Sequence, residues 1–261
     1  MDNKTLSRDG TPIAYERHGD GPTVVLVGGA MCTGATLAPL AEALSDRFGA
    51  VTYDRRGRGA SGDTAPFAVA REVEDIAALI DVFGGSAALY GISSGGALAL
   101  EAAMSGLPVR EVAVYETPFA VDEVAGKQRA EYTERLAELL GQGRRGDAVE
   151  LFLALVGTPP EMIAGVRMSH AWPGMEAIAP TLAYDDAAMG ESQVPGERLA
   201  ALSVPLLSVA GDASPAWMRE AARRIAEAAP NGSYRTLEGQ THMVDAGVLA
   251  PVLAEFFRTD G

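Results

Sequence analysis

The sequence predicts an α/β fold: a mostly parallel sheet with helices on both faces, broken late in the chain by a helical insertion. Three observations predict it. Short β-branched runs alternate with helical patterns as far as Tyr115. From about residue 117 to residue 202 the pattern is helical, with no convincing strand. From Val204 the strand–helix alternation resumes. The 261 residues suffice for one large α/β domain or two small ones. With 48% hydrophobic and 21% charged residues, disordered, collagen-like and coiled-coil chains are excluded. The formal net charge of −14 repels phosphate backbones, so neither nucleic acid nor an anionic membrane is an expected partner.

Residues 11–17 alternate and read as an early strand, closed by the turn Gly19-Asp20-Gly21-Pro22. Residues 23–27 form a continuous apolar run, the mark of a strand covered on both faces, and Gly28-Gly29 ends it. Leu37, Leu40, Ala41 and Leu44 follow helical spacing. Residues 50–53 are the next strand, and the loop after it reads Asp54-Arg55-Arg56-Gly57-Arg58-Gly59. Residues 69–82 are a helix with Val73, Ile76, Ala77 and Ile80 on one face. A strand at 87–90, a small-residue helix at 94–105 and a strand at 109–115 follow. Inside the insertion, residues 127–140, 147–155 and 160–168 are helical, punctuated by Pro159, Pro160, Pro173, Pro180 and Pro195. Beyond it come a strand at 204–210, a helix at 216–229, a strand at 233–237 and a helix at 249–257. The expected division is a core of residues 1–117 and 203–261, with residues 118–202 as a helical cap over the carboxyl ends of the strands, where α/β sheets place their ligands.

Residues 82–100 carry no charge and approach membrane-spanning length. Gly84, Gly85, Gly91, Gly95 and Gly96 interrupt the run, and Ser86, Ser93 and Ser94 are polar, so it reads as strand, sharp turn and packed helix. The start Met1-Asp2-Asn3-Lys4-Thr5 lacks the basic-then-apolar pattern of a secretory signal, and the cytoplasm is the expected location. The single cysteine, Cys32, cannot form an intramolecular disulfide, and no Cys/His spacing suits zinc.

Gly91-Ile92-Ser93-Ser94-Gly95 fits G-x-S-x-G between a strand and a helix, a turn that exposes the central hydroxyl. The Ser94 amide falls in the first helical turn, where N–H groups lack partners and negative charge is stabilised. A serine nucleophile needs a base, and the chain holds three histidines. His18 reads as a half-exposed strand-end residue, and His170 lies in the insertion. His242, in Gly239-Gln240-Thr241-His242-Met243 after the last strand, shares the rim that carries Ser93 and suits general-base work. Asp212, in Gly211-Asp212-Ala213-Ser214-Pro215, is the preferred orienting acid, although it also suits a helix cap. Glu116, at the end of the strand at 109–115, is the rival. Arg55, Arg56 and Arg58 read as donors that hold their loop beside Asp54 rather than as phosphate binders. Cys32 reads as a small packed residue. No nucleotide fingerprint or cofactor is implied.

On these motifs, and on Asp54 to Ser61, the chain resembles the α/β-hydrolase superfamily from about residue 11 to residue 257. The resemblance is to its serine-nucleophile branch, with an eight-stranded mostly parallel sheet and a helical cap. It implies Ser93 as nucleophile, His242 as base and Asp212 as acid, with Ser94 giving one oxyanion-hole amide and Ala30, or Met31, the other. Gly28-Gly29 stands where the family often has His-Gly. The haloalkane dehalogenase branch has aspartate at the elbow, so Ser93 disfavours that chemistry.

The expected activity is hydrolysis of a small to medium, largely apolar carboxylic ester, thioester or lactone through an acyl-enzyme on Ser93. Alternatives with the same triad are a cofactor-free perhydrolase, a carbon–carbon bond hydrolase, and a low-turnover ligand receptor. Methionines and aromatics of the insertion, among them Phe152, Met162, Met168, Met175, Tyr184 and Met189, are expected to supply a pocket. Phe119, His170, Trp172 and Met243 are its named candidates. A small-molecule substrate, no metal, and a monomer or homodimer complete the expectation.

Overall fold

A computed structural model of the chain describes residues 3–257; Met1 and Asp2, read above for a secretory signal, lie outside the described residues, as do the last residues of the expected core. The elements are, in order, β1 (Asn3–Leu6), β2 (Pro12–His18), β3 (Thr23–Val27), α1 (Ala38–Leu44), β4 (Gly49–Tyr53), α2 (Val69–Val82), β5 (Ala87–Ile92), α3 (Ser94–Met104) and β6 (Val109–Tyr115). Then come α4 (Glu123–Gly141), α5 (Arg145–Leu155), α6 (Pro160–Arg167), α7 (Trp172–Ile178), α8 (Leu182–Ala188) and α9 (Gly196–Leu199). The chain ends with β7 (Leu206–Gly211), α10 (Ala216–Ala228), β8 (Gly232–Leu237) and α11 (Ala246–Phe256).

The strands form one sheet in the order β1-β2-β4-β3-β5-β6-β7-β8. β1 and β2 join antiparallel; every pairing from β4 to β8 is parallel. Alternation along the buried strands splits the core in two. Val25, Val27, Leu89, Val112 and Val114 face α2 and α3, while Val24, Leu26, Tyr90, Ala113 and Val209 face α1 and α11. The uncharged run at 82–100 resolves into the end of α2, β5, the turn and most of α3. Among the described residues no helix is long and apolar enough to cross a membrane. β1 and the short helices α7, α8 and α9 are elements that the sequence patterns do not single out.

Register places the chemistry. Ile92 pairs with Tyr115, and Tyr115 with Val209, so Ser93 and Glu116 follow directly at the carboxyl edge of neighbouring strands. The ladder continues past the strands: Ser93 N donates to Tyr115 O (3.0 Å), Glu116 N to Val209 O (3.0 Å) and Asp212 N to Leu237 O (3.0 Å). The insertion α4–α9 leaves from this edge, and α8 packs on α3.

Close approach explains the glycines of the turn. A Cβ on Gly91 would lie 2.3 Å from Gly95 O, and one on Gly95 would lie 2.3 Å from Val27 O and 2.6 Å from Gly28 O. Backbone, not a flexible side chain, would have to move. Gly95→Ala is therefore expected to destabilise the fold by about 1–3 kcal/mol, the usual range for overpacking a tight core. A lowered urea midpoint with an unchanged m-value checks this; an unshifted midpoint contradicts it.

Candidate active site

Ser93 sits at the turn between β5 and α3 with φ 56° and ψ −131°, a conformation that L side chains avoid. The turn places its side chain at the sheet edge. Only four non-glycine residues among the described ones have positive φ, namely Met31, Ser93, Glu116 and Ser192. Ser93 and Ser192 line one cavity, Glu116 bonds a histidine of that cavity, and Met31 follows the lining residue Ala30. Strained backbone of this kind costs of order 1–3 kcal/mol per residue and gathers at functional sites.

His242 also lines this cavity, and its Nδ1 lies 2.9 Å from Glu116 Oε2. Glu116 is fully buried, and its other oxygen accepts from Gly211 N at 2.8 Å. Tyr115 OH donates to Thr241 O at 2.6 Å, which ties the histidine loop to the end of β6. The preferred acid of the sequence reading, Asp212, makes no hydrogen bond or ion pair with His242. It is exposed, and its Oδ1 accepts from Gly239 N at 2.7 Å, joining the loops after β7 and β8. The rival, Glu116, has the longer side chain and the positive-φ turn that brings it to the ring. A serine–glutamate–histidine order along the chain is one that the G-x-S-x-G architecture also accommodates.

The loop after β3 lies directly against the serine: a Cβ on Gly29 would stand 2.9 Å from Ser93 Cβ. Cys32 N donates to Gly29 O (3.3 Å), closing a turn over Ala30 and Met31. Ala30 lines the cavity with Ser93 and Ser94, whereas the Met31 side chain packs against the two small cores of the insertion. Burial pushes the Cys32 thiol up, in keeping with a packed residue.

The cavity measures about 580 Å³, within the range of small-molecule sites. Val121, Val124, Tyr132, Phe152, Leu155, Val156, Leu182 and Met189 line it from the β6–α4 loop and the insertion, and Pro215, Trp217 and Met218 from the core. None of the four named pocket candidates does. Phe119 is buried in the core beneath, Trp172 packs on Val149 and Ala179, His170 is exposed, and Met243 is 86% exposed. Of the wider set, Phe152 and Met189 do line the cavity, Met175 packs near Trp172, Tyr184 stacks on Phe67, and Met162 and Met168 face solvent. Helical spacing alone did not reveal which face looked inward, and the contribution of α10 carried no motif.

The arginine loop is structural, but its partners differ from those expected. Asp54 accepts from the backbone N–H groups of Gly34 and Ala60 (2.8 Å each). Arg56 pairs with Asp75 (2.6 Å) and Asp9 (3.0 Å). Arg55 donates to both oxygens of Glu72 (2.7 Å each) and to Asp185 Oδ1 (2.6 Å). Arg58 donates to Asp185 Oδ2 (2.6 Å), Thr181 Oγ1 (3.1 Å), Gly29 O (2.6 Å) and Cys32 O (3.1 Å). Ser94 Oγ donates to Asp185 Oδ1 at 2.8 Å. Asp185 comes from α8 and was not singled out in the sequence; an adjacent acid pair, Asp185-Asp186, in a short helix was the available signal. Burial by itself raises the Asp185 carboxyl, but the charges of Arg58 and Arg55 and their hydrogen bonds outweigh it and hold the group below the usual carboxylate range. Among the described residues no group of three or more His, Cys, Asp or Glu could hold a metal ion.

A family model described as the alpha/beta hydrolase family matches residues 24–251. A solved alpha/beta hydrolase from Sphaerobacter thermophilus DSM 20745 is 52% identical, with 98% of this chain and 100% of that chain covered and a TM-score of 0.89. A thermophilic esterase from Thermogutta terrifontis is 23% identical over 98% of this chain and 96% of that one, with a TM-score of 0.71. A meta-cleavage product hydrolase from Pseudomonas fluorescens IP01 is 16% identical over 98% and 97%, with a TM-score of 0.69. The last two are likenesses of fold.

The lowered Asp185 pKa sets a pH dependence. Its folded value lies below the unfolded one of about 3.9, so the stabilisation is fully present above that pH and is lost as pH falls through the folded value. Asp185→Asn is expected to cost about 3–5 kcal/mol at neutral pH, the usual penalty for leaving a buried charge without its partner. Urea titrations from pH 7 to pH 3 check this. The difference from wild type holds steady to about pH 5 and shrinks below about pH 4; a difference that widens on acidification contradicts it.

Proposed function

This chain belongs to the alpha/beta hydrolase family, and from that premise we propose that it is a serine hydrolase of neutral, largely apolar carboxylic esters, thioesters or lactones. One observation carries the proposal: a strained serine at a helix start and an imidazole paired with a buried carboxylate open into the same cavity. Ser93 Oγ attacks the carbonyl carbon while His242 takes its proton. Glu116 holds the imidazole by Nδ1–H and stabilises its cation. The N–H groups of Ser94 and Ala30 receive the developing oxyanion. His242 then protonates the leaving alkoxide or thiolate, and water repeats the sequence on the acyl-enzyme.

The substrate class follows from what lines the cavity. The lining is mainly aliphatic and aromatic, and its charged groups already have partners within the protein. Arg129 pairs with Asp186 at 2.9 Å, Asp185 with Arg55 and Arg58, and Asp122 caps α4 through Ala125 N. A substrate carboxylate or phosphate would compete with these pairs, whereas a neutral acyl chain displaces only water. Residues 118–202 act as a cap that supplies most of this lining. Val124 and Val156 of the insertion and Trp217 of α10 are exposed as well as lining, so they mark the mouth.

Hydrolysis of p-nitrophenyl esters of graded acyl length tests the proposal. Ser93→Ala abolishes turnover and labelling by a fluorophosphonate. Glu116→Gln lowers kcat by roughly 10³–10⁴-fold, the scale of losing the acid of such a triad, while Asp212→Asn stays within about tenfold of wild type. The reverse order of the two acid variants, or a label on a residue other than Ser93, would overturn the assignment.

A further inference from the structure

Resting on that reading, we propose that Asp185 of the insertion is a positioning residue for the oxyanion hole, coupling the two separate pieces of backbone that supply its donors. The pieces are the loop after β3, which carries Ala30 N–H, and the first turn of α3, which carries Ser94 N–H. A backbone donor points wherever its main chain lies. The first of these pieces begins Gly28-Gly29 and has no side chain there to fix it.

Its carbonyls are held instead. Gly28 O accepts from Arg55 Nη1 (3.2 Å), and Gly29 O and Cys32 O accept from Arg58 Nη1 (2.6 and 3.1 Å). Both guanidinium groups bond to one carboxylate, Asp185, through Oδ1 to Arg55 and Oδ2 to Arg58 (2.6 Å each), and Glu72 holds Arg55 from its other edge. The third partner of that carboxylate is Ser94 Oγ at 2.8 Å. One side chain from the insertion therefore connects, through short charge-assisted hydrogen bonds, to both halves of the hole. Asp185 lines the cavity but is buried with both its oxygens engaged, so it acts through these neighbours. Met31 adds a second link, because its side chain is packed into the insertion cores. Oxyanion donors work by being in place before charge develops, and sub-ångström misplacement is felt in the rate. The insertion thus sets turnover as well as pocket shape.

The experiment compares wild type, Asp185→Asn and Ser94→Ala. Ser94→Ala removes one hydroxyl and keeps the backbone amide, so it carries the test if Asp185→Asn does not fold. Active sites are counted by fluorophosphonate, so that loss of folded protein drops out. Inhibition by an alkyl trifluoromethyl ketone, whose adduct with Ser93 places an oxyanion in the hole, is measured beside that of the corresponding methyl ketone.

The expected result for Ser94→Ala is a fall in kcat per labelled site of about 10–10²-fold, with KM within about twofold. Trifluoromethyl ketone affinity weakens by a similar factor and methyl ketone affinity is unchanged. Asp185→Asn moves the same readouts further. A role confined to stability would lower Tm and leave kcat per labelled site at wild type, which would overturn the proposal, as would parallel losses for both ketones. Absence of turnover and labelling in the wild type would instead sink the hydrolase reading itself.

Discussion

The buried pairing of Asp185 with Arg55 and Arg58 is the constraint on which the rest of the architecture leans. Four charged groups, Arg55, Arg58, Asp185 and Glu72, lie together at almost complete burial, and their formal charges cancel. Removing four ions from water is costly. Attraction in the interior offsets that cost only when geometry is good and remaining donors are used. Here they are used: Arg55 Nη1 also reaches Gly28 O, and Arg58 spends its other donors on Thr181 and two loop carbonyls. A well-packed apolar cluster could supply equal stability. What it would not supply is direction, because a bidentate carboxylate between two guanidinium groups accepts one placement of α8 over the loop after β4 and no sliding neighbour of it.

That rigidity bears on the strained backbone nearby. Ser93, Glu116 and Met31 each hold a left-handed φ that isolated segments would relax. Each is clamped from both sides. Ser93 N is bonded to β6, Glu116 N to β7, and the turn at Met31 is closed by Cys32 N and held by Arg58. The sheet register fixes the first two and the ion cluster fixes the third. The site is therefore a place where several elements over-determine a conformation that none of them favours locally.

This also explains what could be read from the sequence and what could not. Strands β3 and β6 and helix α2 follow local patterns, apolar runs and 3.6-residue spacing, and they stand where those patterns put them. The elbow was legible because tight turns leave glycine in the chain. The acid was not. Asp212 and Glu116 both end parallel strands on one rim, and only side-chain length and a positive φ at Glu116 decide which reaches His242. Those depend on three-dimensional direction. The cavity lining was lost for a similar reason. Val124, Val156 and Trp217 sit at helix ends, and Trp217 lies off the buried face of α10 that Met218, Ala221, Ala222 and Ile225 form, while the conspicuous Trp172 and Met168 turn to a local core and to solvent. Asp185 lay in a seven-residue helix, too short for a pattern.

The same cluster limits how substrate would reach the proposed nucleophile. Lifting α8 would separate Asp185 from two guanidinium groups and Ser94 at once, leaving its carboxylate without these partners while Arg55 kept Glu72 and Arg58 kept two loop carbonyls. It would also break the Tyr184 stack on Phe67 and its bond to Asp63. Where the β6–α4 loop meets α10 the tie is lighter: Arg224 Nη1, from an exposed arginine, donates to Val121 O at 2.8 Å. Val124, Leu155 and Val156 of the insertion and Trp217 of α10 line this same cavity and are all exposed and apolar. Separating apolar groups that already meet water costs little, and a hydrophobic acyl chain laid between them buries surface that is otherwise wet. Passage between α4–α5 and the start of α10 would therefore leave the proposed oxyanion donors, Ser94 and Ala30 N–H, undisturbed. An anchored inner half with an apolar outer mouth would let one insertion both hold the proposed site in place and admit a substrate.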